Sequence, residues 1–410
     1  MNTAARYFFA LRDWVDDRFP MTQLWNEHAA RYYAPKNFNF WYVFGVISMV
    51  VLVNQILTGI WLTMNYKPDA TQAFASVEYI MRDVPWGWVI RYLHSTGSSA
   101  FFFAVYLHMY RGLVYGSYKK PRELIWVIGM VIYLTLMGEA FLGYLLPWGQ
   151  MSFWGAQVIV SLFGTIPVIG EGLALWIRGD YVVSDVTLNR FFSLHVIAFP
   201  LLLCALSGAH ILALHHVGSN NPDGVEIKKH KDEKGVPLDG IPFHPYYTVK
   251  DLVAVLIFAI GFAMAVFYAP GMGGYFLEAA NFVPADPLKT PEHIQPLWYF
   301  TTYYAILRAI PHQLGGVIAM FLASTLFFLL PWLDRSPVKS IRYKGGLFKA
   351  ALAIFVIVFL VLGYYGTQTV TPAGTLISQI GTLLYFAFFL LMPWYSVMDK
   401  TKPEPDRVTQ

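Results

Sequence analysis

Four of the eleven histidines lie inside two long apolar stretches, His94 and His108 in one and His195 and His210 in the other. An α-helix turns about 100° and rises about 1.5 Å per residue, so the 14-residue spacing of the first two leaves their rings about 40° apart on one face and about 21 Å apart along the axis. The 15-residue spacing of the second two gives about 60° and 22.5 Å. Two such helices side by side would face each other with two histidine pairs, one near each surface of a membrane. Imidazole in lipid is costly and tends to be functional, and neutral imidazole is a common axial ligand of haem iron. A single buried histidine is more often a hydrogen-bonded bundle residue or a proton relay. A matched double pair points to two haems. The lone cysteine, Cys204, and the lack of a C-x-x-C-H mean that any haem is held without covalent attachment.

Glycines repeat the same interval. Gly45 and Gly59 are 14 residues apart, as are Gly129 and Gly143. A residue without Cβ lets a flat macrocycle lie against backbone, although helix packing alone also favours small residues. Pro200 falls inside the longer histidine gap, where a helix distortion is expected to absorb the extra residue. Arg91, Arg111 and Arg190 sit at the ends of the histidine-bearing stretches, placed to pair with haem propionates or to act as interfacial anchors.

The elements that must position these groups follow from composition. With 56% hydrophobic and 13% charged residues over 410 positions, the chain has too little polar surface to coat a soluble globule. The mixed charges of Arg6, Arg12, Asp13, Asp16, Asp17 and Arg18 precede any long apolar run and do not read as a cleavable signal. Stretches of about 20 apolar residues, enough to cross a hydrocarbon core, occur near 40–64, 92–115, 124–146, 191–214, 248–269, 312–332, 348–366 and 376–398. The expected fold is therefore an all-α integral membrane protein with eight transmembrane helices, the first four forming a di-haem four-helix bundle. Two shorter apolar stretches, about 151–176 and 296–310, read as loop or re-entrant helices. The 29 Lys and Arg split 22 to 7 between the loops of the terminal side and those of the other side, which predicts cytoplasmic termini. The net charge of +4 thus reflects topology and calls for no nucleic-acid partner.

Several long motifs resemble the cytochrome b family of cytochrome bc complexes: Gln55-Ile-Leu-Thr-Gly59, Arg91-Tyr-Leu-His94, the Gly143–Gly155 run containing Pro147-Trp-Gly-Gln, Gly218-Ser-Asn-Asn-Pro222 and His244-Pro-Tyr-Tyr-Thr-Val-Lys-Asp251. The resemblance covers essentially the whole chain. It implies a 1–216 di-haem domain, a 217–247 cytoplasmic loop and a 248–410 four-span domain with a quinol-site loop at 286–310. It further implies a dimeric complex with a Rieske iron–sulfur protein and a membrane-anchored c-type cytochrome, running a proton-motive Q cycle on ubiquinol in lipid.

By that match His94 and His195 ligate the outer, low-potential b-type haem, and His108 and His210 the inner, high-potential one. His215, Ser219, Lys250 and Asp251 match the quinone-reduction site. Phe141, Tyr144, Met151, Gly155, Pro296 and Tyr299 match the quinol-oxidation site. The family's Pro-Glu-Trp-Tyr is here Pro296-Leu-Trp-Tyr299, so the glutamate thought to accept a quinol proton is missing at Leu297. Glu139, alone in an apolar stretch about one turn from Phe141 and Tyr144, is the candidate replacement, or else a carboxyl hydrogen-bonded to another helix. The 15-residue histidine gap and the single polypeptide together suggest a bacterial respiratory complex in the inner membrane. The rival readings are a di-haem anchor of a dehydrogenase, usually half this length and without these loops, and an ion or proton transporter, which would show no haem absorption.

Overall fold

The computed structural model describes residues 3–26 and 32–409, so that Arg31, one of the terminal-side cations, lies outside it. Long helices run over Phe44–Thr63, Gly87–Tyr115, Glu123–Leu145, Asp185–Val217, Tyr246–Tyr268, Gln313–Leu333, Gly346–Thr367 and Pro372–Leu390. Seven are long and apolar enough to cross a membrane by length and composition. The expected second span, Gly87–Tyr115, falls short of that measure. Its 29 residues reach about 43 Å, but Arg91, His94, His108, Arg111 and a Ser-Thr-Gly stretch make it more polar, as suits a helix whose partners are inside the bundle. The last expected span is broken at Leu391, with a separate helix over Met392–Met398.

The polarity of the helices is that of a protein in lipid. Only 6% of the apolar window of Tyr246–Tyr268 is buried, and Leu252, Leu256, Ile257, Ile260 and Met264 all face outward. Apolar side chains stay outside where the solvent is hydrocarbon. The first long helix packs along the second and the third along the fourth.

The fourth helix carries the expected distortion. Leu194–Ala198 is a π-helix, immediately followed by Phe199–Val217 with Pro200 in its first turn. A π turn accommodates one more residue than an α turn, and Pro200 has no N–H to hold the α ladder. The 15-residue spacing of His195 and His210 therefore does the work of a 14-residue one.

Between the long helices, the expected loop helix at 151–176 appears as two, Gln150–Phe163 and Gly170–Arg178, and the 296–310 stretch as a 3-10 turn running into Thr301–Ala309. The charge-based division of loops holds in space. Ion pairs join the terminal-side segments to one another: Lys36 and Arg407 to Asp239, Arg122 and Lys339 to Glu226, Arg342 to Asp223, and Lys119 to Asp334, which Lys344 of the same segment also pairs. A two-stranded antiparallel ribbon, Tyr33–Pro35 with Gly240–Pro242, adds to the same face. The opposite segments also bind one another, with Ala70 N–H on Asp185, Tyr66 on the Leu146 carbonyl and Gln150 N–H on the Val283 carbonyl.

Candidate functional site: two histidine pairs and the cavity beside them

The second and fourth helices bring the histidines together as two pairs. The rings of His94 and His195 have centroids 6.1 Å apart, and those of His108 and His210 are 6.4 Å apart. Two imidazoles on opposite sides of one metal, each with a metal–nitrogen bond of about 2 Å, have centroids roughly 6.3 Å apart. Among the described residues no group of three His, Cys, Asp or Glu gathers to hold a metal ion. Such pairs suit a metal that brings its other ligands with it, as haem iron does.

The four glycines fit the same group. A Cβ on Gly59 would lie 3.2 Å from His94 Cε1, on Gly45 3.4 Å from His108, on Gly129 3.2 Å from His210, and on Gly143 only 2.4 Å from His195. Each glycine of the first and third helices thus faces one histidine of its neighbour.

Hydrogen bonds fix the tautomer of the first pair. Thr58 Oγ1 donates to the Asn54 carbonyl at 2.6 Å, so it accepts from His94 Nδ1–H at 2.9 Å. The carbonyl of Glu139 accepts from His195 Nδ1–H at 3.0 Å, and its carboxylate Oε1 is also 3.0 Å from that nitrogen. Both rings therefore keep Nε2 as the lone-pair nitrogen, the state a metal ligand needs. At the second pair Arg111 Nη2 is 3.5 Å from His108 Nδ1.

Buried guanidinium atoms await acceptors beside both pairs. Among the described residues Arg91 Nη1 and Arg111 Nε have no hydrogen-bond partner, which fits the propionate role. Arg190 does not share it. It is exposed and donates to the Trp176 carbonyl at 2.5 Å, because the Gly170–Arg178 helix folds back over it.

A cavity of about 380 Å³ opens at the end of the third helix, within the range of small-molecule sites. Phe141, Tyr144, Gly155, Pro296 and Leu297 line it, as expected. Three expected residues are displaced from its wall. Tyr299 stacks on Phe102 at 3.9 Å and points its hydroxyl to Ser98 at 3.2 Å. Met151 is buried in the first turn of the Gln150–Phe163 helix, away from the cavity wall. Glu139 turns its carboxylate to His195, which answers the cost of burying it by the hydrogen-bonded alternative.

On the opposite face, His215 lies against Tyr32 at 4.6 Å, and the Tyr32 hydroxyl is 2.9 Å from Ser219 Oγ. Lys250 donates to the Tyr246 hydroxyl at 2.8 Å, one residue before Asp251. Tyr32 and Thr58 were not legible as site residues. Thr58 lies within the Gln55–Gly59 motif, one residue before Gly59, and that adjacency was its only signal.

An all-helical membrane protein that stacks two imidazole pairs in one bundle is of the transmembrane electron-carrier class. Comparison with known proteins sharpens this. Residues 29–218 match the family described as Cytochrome b/b6/petB, and residues 284–386 match Cytochrome b(C-terminal)/b6/petD. The chain is 61% identical over 404 residues to "Cytochrome b" of Allochromatium vinosum, covering 97% of each, and 47% identical to that of Rhodospirillum rubrum, covering 99% of this chain and 97% of the relative. A solved structure titled "Hyperthermophilic respiratory Complex III" superposes with TM-score 0.87 at 40% identity, covering 94% of this chain and 98% of that one. The chain belongs to the cytochrome b family, as a subunit of the quinol–cytochrome c reductase, complex III. It binds b-type haem and carries electrons across the membrane in the Q cycle.

Proposed function

We propose that the chain holds two b-type haems, one on His94 and His195 and the other on His108 and His210, and connects a quinol-oxidation site on the outer side to a quinone-reduction site on the cytoplasmic side. The observation that carries this reading is the pair of imidazole separations, 6.1 and 6.4 Å, each backed by two facing glycines. When bound, the haems supply one-electron relays. The chain does the rest. Thr58 and Glu139 hold two ligand rings by Nδ1, and Arg91 and Arg111 offer buried guanidinium donors to carboxylates.

The cavity at Phe141, Tyr144, Gly155 and Pro296 takes ubiquinol. Its ring fits between apolar walls while Tyr144 supplies a polar contact. His215, Ser219, Lys250 and Asp251, with Tyr32, make the quinone-reduction site, where proton donors are needed on the cytoplasmic side. The 1–216 portion carries the haems, and the 248–410 portion contributes the 286–310 loop to the quinol site. The segments joined by ion pairs are the Lys- and Arg-rich ones, and this charge bias supports a topology with both termini on the cytoplasmic side of a bacterial inner membrane. A Rieske iron–sulfur protein, a membrane-anchored c-type cytochrome and a second copy of the chain complete the complex.

Redox titration of the purified complex tests the haem count. Two b-type components of equal amplitude are expected, and a single component would refute the reading.

A further inference from the structure

We propose that Glu278, acting through Tyr144, accepts a proton released by quinol in the 380 Å³ cavity, the role left without an acid at Leu297. This rests on the reading of that cavity as the quinol-oxidation site.

Tyr144 lines the cavity and its hydroxyl donates to Glu278 Oε2 at 2.7 Å. Glu278 is 6% exposed, in the loop between the fifth helix and the Pro296–Tyr299 turn. It is therefore reached from the cavity through one phenol and lies in an outer-side loop whose neighbours Tyr275 and Phe282 are exposed.

Its position is fixed by the same piece of chain that walls the cavity. Asn281 accepts from Ser152 N–H at 2.9 Å and donates to Ser152 Oγ at 3.0 Å; Gln150 N–H binds the Val283 carbonyl and Ala285 N–H the Trp148 carbonyl, each at 3.0 Å. A Cβ on Gly149 would lie 2.3 Å from Asn281 Oδ1, so that residue must be glycine for the loop to seat. Residues 148–152 lead directly into the helix bearing Gly155.

Among the described residues Tyr144 of the third helix meets the Glu278 carboxyl directly, and the Tyr299 phenol, whose hydroxyl is held by Ser98, lies within electrostatic reach of it. Burial pushes the Glu278 carboxyl up to about 7, against the opposing effect of the Tyr144 hydrogen bond. An acceptor near neutrality can take a proton from the cavity and release it to the outer water.

The step balances. As quinol is oxidised, one of its O–H bonds breaks and the proton passes to Tyr144 Oη while the Tyr144 proton passes to the Glu278 carboxylate. Tyr144 is regenerated as a phenol and Glu278 becomes the carboxylic acid. The two electrons leave by the established transfer of the Q cycle, and the second proton departs toward the iron–sulfur partner.

The test is quinol oxidation by the assembled complex in membranes, measured from pH 5 to 9. Glu278→Gln keeps an acceptor for the Tyr144 hydroxyl but cannot take its proton. It is expected to lower kcat about 100-fold, leave KM within about twofold, and remove the rise of rate with pH around neutrality. Glu278→Asp is expected to recover part of the rate together with the pH dependence. A rate and profile like the parent's overturns the proposal, as does a lower rate with the parental profile, since that reports only a structural hold on Tyr144. Two b-type bands in the reduced spectrum confirm that each variant is assembled. Gly155→Trp, which fills the cavity, separates the two claims. Loss of quinol oxidation in Gly155→Trp with an unaffected Glu278→Gln removes only the relay, whereas an unaffected Gly155→Trp overturns the cavity reading as well.

Discussion

Replacing Gly143 with alanine puts a methyl carbon 2.4 Å from His195 Cε1 and 2.8 Å from its Nδ1. Ordinary contact begins at 3.4 Å, so the ring must retreat by about 1 Å. The Nδ1–H bond to the Glu139 carbonyl, now 3.0 Å, would stretch to about 4 Å and cease to be a hydrogen bond. Overpacking typically costs about 1–3 kcal/mol and a lost hydrogen bond about 1, so about 2–4 kcal/mol is removed from holding the haem, roughly 30- to 1,000-fold in affinity. The same substitution at Gly45 meets His108 at 3.4 Å, an ordinary contact, and Gly59 and Gly129 lie between at 3.2 Å. Redox-resolved spectra of membranes carrying each variant should show the low-potential component lost or displaced in Gly143→Ala and both components intact in Gly45→Ala. A Gly143→Ala protein with both components at parental amplitude and potential refutes the assignment of that glycine to the haem cradle, as would greater damage from Gly45→Ala.

Glu139→Gln leaves the backbone acceptor for His195 in place and removes the carboxylate, so the low-potential haem should titrate at a shifted potential while the pH profile of quinol oxidation keeps its shape. Tyr32→Phe removes the hydroxyl paired with Ser219, and quinone reduction on the cytoplasmic side should slow several-fold with quinol oxidation preserved in inhibitor-resolved flash kinetics. The Arg407 guanidinium, with Lys36 beside it, holds the Asp239 carboxyl down at about 2. A depressed carboxyl stabilises the fold above its unfolded pKa near 4 and loses that contribution as pH falls toward 2, so protease cleavage of the C-terminal tail should rise across that window and not between pH 6 and 8.

Periodicity carried most of the architecture. Histidines and glycines at one repeating interval predict which helices face one another, and the interval survives in space because a straight α-helix preserves angle over 14 residues. Even the irregular gap was legible, since Pro200 marks where a π turn takes up the surplus. Where helices give way to loops, spacing stops predicting distance. Glu278 stands in a glycine-rich loop with no periodicity to relate it to a helix face, and only the folding of 278–286 onto 148–152 buries it beside Tyr144. Tyr299 belongs to a recognisable motif, yet the direction of its ring is set by Phe102 of another helix. For Glu139 the sequence exposed the energetic problem, an acid in an apolar helix, but not its partner, because His195 is 56 residues away in the chain.

The two imidazole separations make the four histidines two separate pairs. Redox titration of b-type haem in His195→Asn and His210→Asn complexes tests it most directly. The first is expected to lose only the low-potential component and the second only the high-potential one, with His94→Asn and His108→Asn reproducing each loss in turn. Loss of the same component from His195→Asn and His210→Asn, or retention of both components in either, would contradict it.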